Sequence, residues 1–123
     1  EIIPYCKAHG IGIVAYSPMQ SGLLTGSFDM KKLPPDDWRI VHSEKFREPK
    51  YSRGLKLVEQ LRPLAAKYGR TVGQLAINWV LRNGGVTSAI VGAKTAQQVE
   101  NNVAAVGWEI SDEDMRKING LLE

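Results

Sequence analysis

The chain has 123 residues, 43% hydrophobic and 24% charged, the make-up of an ordinary globular protein. Its formal charge is +3, but the Lys and Arg residues are interspersed with acidic ones rather than gathered into an arm or face, which argues against a nucleic-acid partner. No apolar run approaches the roughly 18 residues that cross a bilayer, the amino end lacks a signal-peptide plan, and a lone Cys6 provides neither a disulfide nor a metal-ligand set, so a cytoplasmic protein without membrane or metal is expected.

In chain order, residues 1–10 read as the end of an amphipathic helix stopped at Gly10, with Cys6 as a packing residue. Residues 11–16 form a nearly continuous apolar run closed by Ser17-Pro18, the pattern of a strand covered on both faces in a parallel sheet. From Met19 to Ser52 breakers dominate, predicting a long loop with at most one short helix, a candidate lid or binding loop. Residues 54–68 have helical spacing in Leu57, Leu61, Leu64 and Ala65, with Pro63 expected to kink or split the helix and Gly69 to end it. Thr71 caps a further helix to about Asn83, whose stripe is Val72, Leu75, Ala76, Trp79 and Val80, with Trp79 in the core. Gly84-Gly85 leads into a second strand at residues 88–91, then a helix from Ala96, then a last helix opened by Ser111 and Asp114. Strands alternating with helices predict an α/β fold with parallel strands.

The segment Ala89-Ile-Val-Gly-Ala-Lys-Thr-Ala-Gln-Gln-Val-Glu-Asn-Asn102 holds the clearest chemical signal. Thr95 and Gln98 have capping-box spacing, in which Gln98 reaches the cap residue's own N–H. The helix start collects unpaired N–H donors, and Lys94 adds a charge beside them, the makings of an anion site.

Three segments in this order, Ala15-Tyr-Ser-Pro-Met-Gln-Ser-Gly-Leu-Leu-Thr-Gly26, Gln74-Leu-Ala-Ile-Asn-Trp79 and the stretch from Ala89 to Asn102, together resemble the aldo-keto reductases. The resemblance spans residues 1–123 as a single partial domain and implies the carboxy-terminal part of a (β/α)8 TIM barrel, with the two strands as its seventh and eighth. It implies an NADP-dependent oxidoreductase that reduces aldehydes or ketones by hydride transfer. Tyr16 would stack on the nicotinamide; Ser17, Met19, Ser21 and Gly22 would hold the pyrophosphate, with Leu24 and Thr25 continuing the clasp. Gly92, Lys94, Thr95 and Gln98 would grip the 2′-phosphate, and Asn102 would read the adenine. Asn101 stands where many members carry a glutamate, which weakens any contact from that position. Arg39 could reach the cofactor from the long loop, but reads first as a solvated surface charge.

The family's catalytic tyrosine, lysine, aspartate and histidine have no counterpart here. His9 ends a helix and His42 sits in the loop, and neither they nor Lys94 match. The expectation is a cofactor-binding portion, inactive alone, with a small carbonyl substrate taken by the longer parent. A second expectation is a non-catalytic NADP(H)-binding subunit similar to channel-associated β subunits. Two parallel strands cannot close a barrel, so either an amino-terminal half is missing or the chain pairs as a homo-oligomer.

Overall fold

The computed structural model describes residues 1–123. Its elements in order are α1 (Ile2–Ala8), β1 (Ile13–Tyr16), a loop, α2 (Trp38–Val41), α3 (Lys50–Lys67), α4 (Val72–Arg82), β2 (Val86–Ile90), α5 (Ala96–Val103) and α6 (Asp112–Leu122). No helix is long and apolar enough to cross a membrane.

The two strands pair in parallel, with Ala15 opposite Ala89 and Tyr16 opposite Ile90. β1 begins later than its apolar run suggested. The ladder is irregular between Ile13 and Val14, where the Ile13 N–H donates to the Thr87 hydroxyl at 3.2 Å instead of to a backbone carbonyl. Gly12 permits that approach, since a Cβ there would lie 3.1 Å from Thr87 Oγ1. β2 begins and ends earlier than predicted, because the Val86 N–H already bonds the Asn83 carbonyl and the chain enters the sheet directly from its turn. Cover on both faces is not found in this chain: Val14 is 59% exposed, Ile90 59% and Tyr16 82%.

The loop contains more local structure than its breakers implied. Three 3₁₀ turns, Gln20–Thr25, Met30–Lys32 and Glu44–Phe46, accompany α2. Asp29 and Asp37 supply the caps, accepting from the Lys31 and Arg39 N–H groups at 3.0 and 2.9 Å. Phe28, Phe46 and Tyr51 then gather the loop against α3, with ring centroids 5.1 to 6.3 Å apart.

α3 starts at Lys50, ahead of the predicted Gly54, and is not split by Pro63. Pro63 lies on the exposed side, where water can take the carbonyl that loses its N–H partner. The helix stops with Gly69 at φ +62 and the Arg70 and Gly69 N–H groups bonded to the Ala65 and Ala66 carbonyls, a Schellman ending. Thr71 opens α4 with a reciprocal capping box: its hydroxyl accepts from the Gln74 N–H and Gln74 Oε1 accepts from the Thr71 N–H, both at 3.1 Å.

The core lies among α3, α4 and α6, in Val58, Leu61, Ala65, Val72, Leu75, Ile110 and Ile118. Trp79 packs at its margin and donates from its indole to Asn119 Oδ1 at 2.9 Å. This apolar seam holds α4 behind the sheet, and α4 in turn places both strand exits at one end.

Candidate functional site

Both strands run the same way, so Tyr16 and Ile90 deliver their following segments to one open cleft of about 1330 Å³. After Tyr16 the backbone coils tightly. Ser17, Gln20 and Ser21 take φ of 55, 49 and 60, left-handed values uncommon for side-chain-bearing residues, and Gly22 follows at 100. Several bonds hold this coil. Met19 O accepts from the Gly22 and Leu24 N–H groups at 3.1 Å each, and the Thr25 hydroxyl donates to the Gly22 carbonyl at 2.7 Å. Arg39 Nη1 donates to the Ser21 carbonyl at 3.3 Å.

That guanidinium is itself fixed. Asp37 accepts from Arg39 Nε at 2.8 Å and from Nη2 at 2.7 Å, and the Phe28 ring lies 5.5 Å beneath it. The Arg39 hydrogen bonds, from side chain and backbone, hold the Asp37 carboxyl down to about 2, with a smaller contribution from the Lys94 charge. Arg39 is therefore a largely buried clamp on the cleft wall, not the solvated charge expected.

At the second exit, Thr95 Oγ1 accepts from the Gln98 N–H at 3.2 Å, as predicted. Gln98 Oε1, however, accepts from the Lys94 N–H at 2.6 Å rather than from Thr95, one residue beyond the expected box. The helix start is thereby extended over Lys94, and Gln98 keeps its NH₂ group and one lone pair of its oxygen for a ligand. Asn102 Nδ2 donates to the Gly92 carbonyl at 3.3 Å, tying α5 to the strand exit. Lys94 is exposed at the mouth.

The cleft is lined by Tyr16, Ser17, Met19, Ser21, Gly22, Gly92, Lys94, Gln98, Asn101 and Asn102, with Thr25 beside them. Leu24 and Thr95 do not line it. Leu24 packs against the core, and Thr95 spends its hydroxyl on the helix cap. Arg62 and Arg70 line the cleft without having been singled out from sequence, as does Gln74, named there only as part of a motif and not as a site residue. Arg62 bonds the Gly26 carbonyl at 2.7 Å, and Arg70 lies 5.5 Å from the Trp108 ring centre. Their separation from both strand exits along the chain left no local signal. His9 stacks on Tyr5 in α1 and His42 ends α2, both away from the cleft. No group of three or more His, Cys, Asp or Glu side chains is arranged to hold a metal.

Residues 1–123 match the model of the Aldo/keto reductase family. The chain belongs to that family. It is 33% identical over 126 residues to the NADH-specific methylglyoxal reductase of Escherichia coli K12, covering 100% of this chain and 38% of that protein. It is 34% identical over 124 residues to the aldo-keto reductase YhdN of Bacillus subtilis, with the same two coverages. A probable voltage-gated potassium channel subunit beta of Arabidopsis thaliana is 35% identical over 108 residues, 86% of this chain and 33% of that one. Among solved structures, the glycerol dehydrogenase of Gluconobacter oxydans superposes with a TM-score of 0.88 at 32% identity, over 99% of this chain and 37% of that chain. This aldo-keto reductase chain thus spans between about a third and two fifths of the length of these relatives, and its α/β architecture is part of a (β/α)8 barrel.

Proposed function

We propose that this chain supplies the nicotinamide-nucleotide-binding portion of an aldo-keto reductase that reduces aldehydes or ketones, with NADPH preferred. The observation that carries the reading is the single cleft into which both strand exits open, lined by basic side chains and by an exposed tyrosine ring. The residues present fit such a nucleotide. Tyr16 offers a free aromatic face, the coil from Ser17 to Gly22 presents backbone groups to a pyrophosphate, and Arg39 braces that coil. Lys94 and the start of α5 suit a 2′-phosphate, because a cation beside unpaired N–H donors offsets two extra negative charges. The bound nucleotide would supply the hydride; the chain's residues hold and orient it. No residue of this chain is assigned a catalytic role.

The E. coli relative is named for NADH, so coenzyme choice is the part to test first. Nucleotide fluorescence followed during titration should show saturable NADPH binding. Lys94→Ala should weaken NADPH by about tenfold to hundredfold, the worth of a charged hydrogen bond, while leaving NADH nearly unchanged. Equal losses for both nucleotides would move the preference away from Lys94, and no saturable binding would remove the reading altogether.

The likeness to a probable potassium channel subunit favours one alternative, a nucleotide-binding subunit whose main task is interaction. Turnover of a simple aldehyde by a full-length barrel that contains this portion separates the two readings.

A further inference from the structure

α5 carries Gln98 and Asn102 to the cleft, with Lys94 just ahead of its cap, yet it has no buried residue, and its Val99 and Val103 are 50% and 62% exposed. Within α5 itself little apolar packing fixes how it lies, so beside the buried Ala105 that follows it the polar anchors carry its placement. The Glu100, Asn102 and Val103 carbonyls accept from the Ala104, Ala105 and Val106 N–H groups at 3.0 to 3.1 Å. The Asn101 carbonyl takes no such partner. It accepts instead from Gln74 Nε2 of α4 at 2.9 Å. One turn along α4, Asn78 Nδ2 donates to the Ala105 and Trp108 carbonyls, each at 2.9 Å.

Gln74 and Asn78 are 8% and 5% exposed, two amides buried in a helix whose other buried residues are apolar or glycine. A buried amide is costly unless bonded, and these two direct their donors at the carbonyls that the end of α5 and its following turn leave open. Gln74 has its oxygen committed to the Thr71 N–H and one donor committed to Asn101.

The geometry points to Gln74 as a positioning residue of the nucleotide site: with Asn78 it sets where α5 lies, and so where Lys94 and Asn102 meet the adenosine half of the nucleotide. The inference rests on the reading of the cleft proposed above. Its signature is a loss shared by any ligand that carries the adenosine 2′-phosphate, whether or not the nicotinamide is present.

The test measures binding of NADP⁺ and of 2′,5′-ADP to the protein and to Gln74→Met, which keeps the side-chain length and removes the donor. Both ligands should bind Gln74→Met about fivefold to tenfold more weakly, by the same factor, as for the one lost hydrogen bond to α5, the second lost bond, to the Thr71 N–H, lying within the α4 cap. Gln74→Glu, which sets a carboxylate against the Asn101 carbonyl, should weaken both at least as much. Tyr68→Phe, which keeps the ring on Trp108 and removes only the hydroxyl bonds to Ser111 and Asp114, none of them to α5, should lower the melting temperature and leave both affinities unchanged below it. If Gln74→Met fails to fold, Gln74→Asn, one methylene shorter, withdraws the same donor and is read in its place. Parental affinities in the Gln74 variants, or a loss equally large in Tyr68→Phe, would overturn the inference while leaving the nucleotide reading intact. Failure of the parent protein to bind either ligand would overturn both.

Discussion

Asp114 shows how one side chain can matter more than its sequence neighbourhood suggests. Its position three residues after Ser111 reads as half of a capping box, and Ser111 Oγ does accept from the Asp114 N–H at 3.2 Å. The carboxylate, fully buried, crosses to α3 instead, where Lys67 Nζ lies 2.6 Å away and the Tyr68 hydroxyl donates to the same oxygen. The Lys67 and Tyr68 hydrogen bonds hold the Asp114 carboxyl well below its ordinary value of 3.8, and Asp114 raises Lys67 above 10.5. The signs follow by linkage. A depressed carboxyl stabilises the fold above its unfolded value and loses that contribution as pH falls towards the folded one; a raised ammonium keeps its contribution until pH climbs through its elevated value. Urea unfolding of the parent should therefore show a midpoint that drops below about pH 4. Asp114→Asn should start from a lower midpoint at pH 7 and show a shallower acid limb. An acid limb as steep as the parent's would place the titration in other carboxyls. The whole of α4, β2 and α5 separates Lys67 and Tyr68 from Asp114, so no spacing rule could have joined them.

At the scale of elements, local chemistry was legible where it is self-contained. Thr71 with Gln74, Thr95 with the Gln98 N–H and the stop at Gly69 all involve partners within a turn of one another, and all form. Thr71→Ala should cost about 1 kcal/mol of unfolding free energy by loss of the cap. Gaps opened where a helix depends on its surroundings. Pro63 was expected to kink or split α3, but its exposed position and the packing of Val58, Leu61 and Ala65 on the opposite face keep the helix from splitting. Pro63→Ala should then stabilise the protein by about 1 to 3 kcal/mol, since it restores a hydrogen bond and removes no buried contact. A neutral or destabilising result would mean that the ring does packing work at this site. The left-handed serines of the coil after β1 were invisible for a related reason: Ser17 and Ser21 hold their backbone angles only because Met19, Thr25 and Arg39 bond around them.

For the molecule as a whole, only 17 of 123 residues are buried, and Val14, Ile90 and Tyr16 leave the sheet face open. Exposed apolar area on that scale seeks cover. The chain should bind a hydrophobic dye such as ANS and sediment as larger species with increasing concentration; dye-free, concentration-independent sedimentation would show that the two-stranded sheet is tolerated bare. Parallel strands and alternating helices were readable from apolar runs and caps, and so was the meeting of the two exits, through the joint resemblance of their motifs. The basic walls at Arg62 and Arg70 were not, because they come from the end of α3 and the turn before α4, elements that frame the cleft only after folding.

The strand pair joins segments separated by the whole of α2, α3 and α4. Closing so long an interval costs on the order of 4 kcal/mol in chain entropy before any ladder bond forms, whereas each helix can begin from neighbours. Helicity should thus appear early in refolding and the β1–β2 ladder late. Since the cleft has no existence until that ladder joins its two lips, the proposed nucleotide binding would become a clock for the slowest step: if the cleft takes NADPH as proposed, its fluorescence in stopped-flow refolding should lag the far-ultraviolet dichroism signal, and raising the nucleotide concentration should leave the lag unchanged.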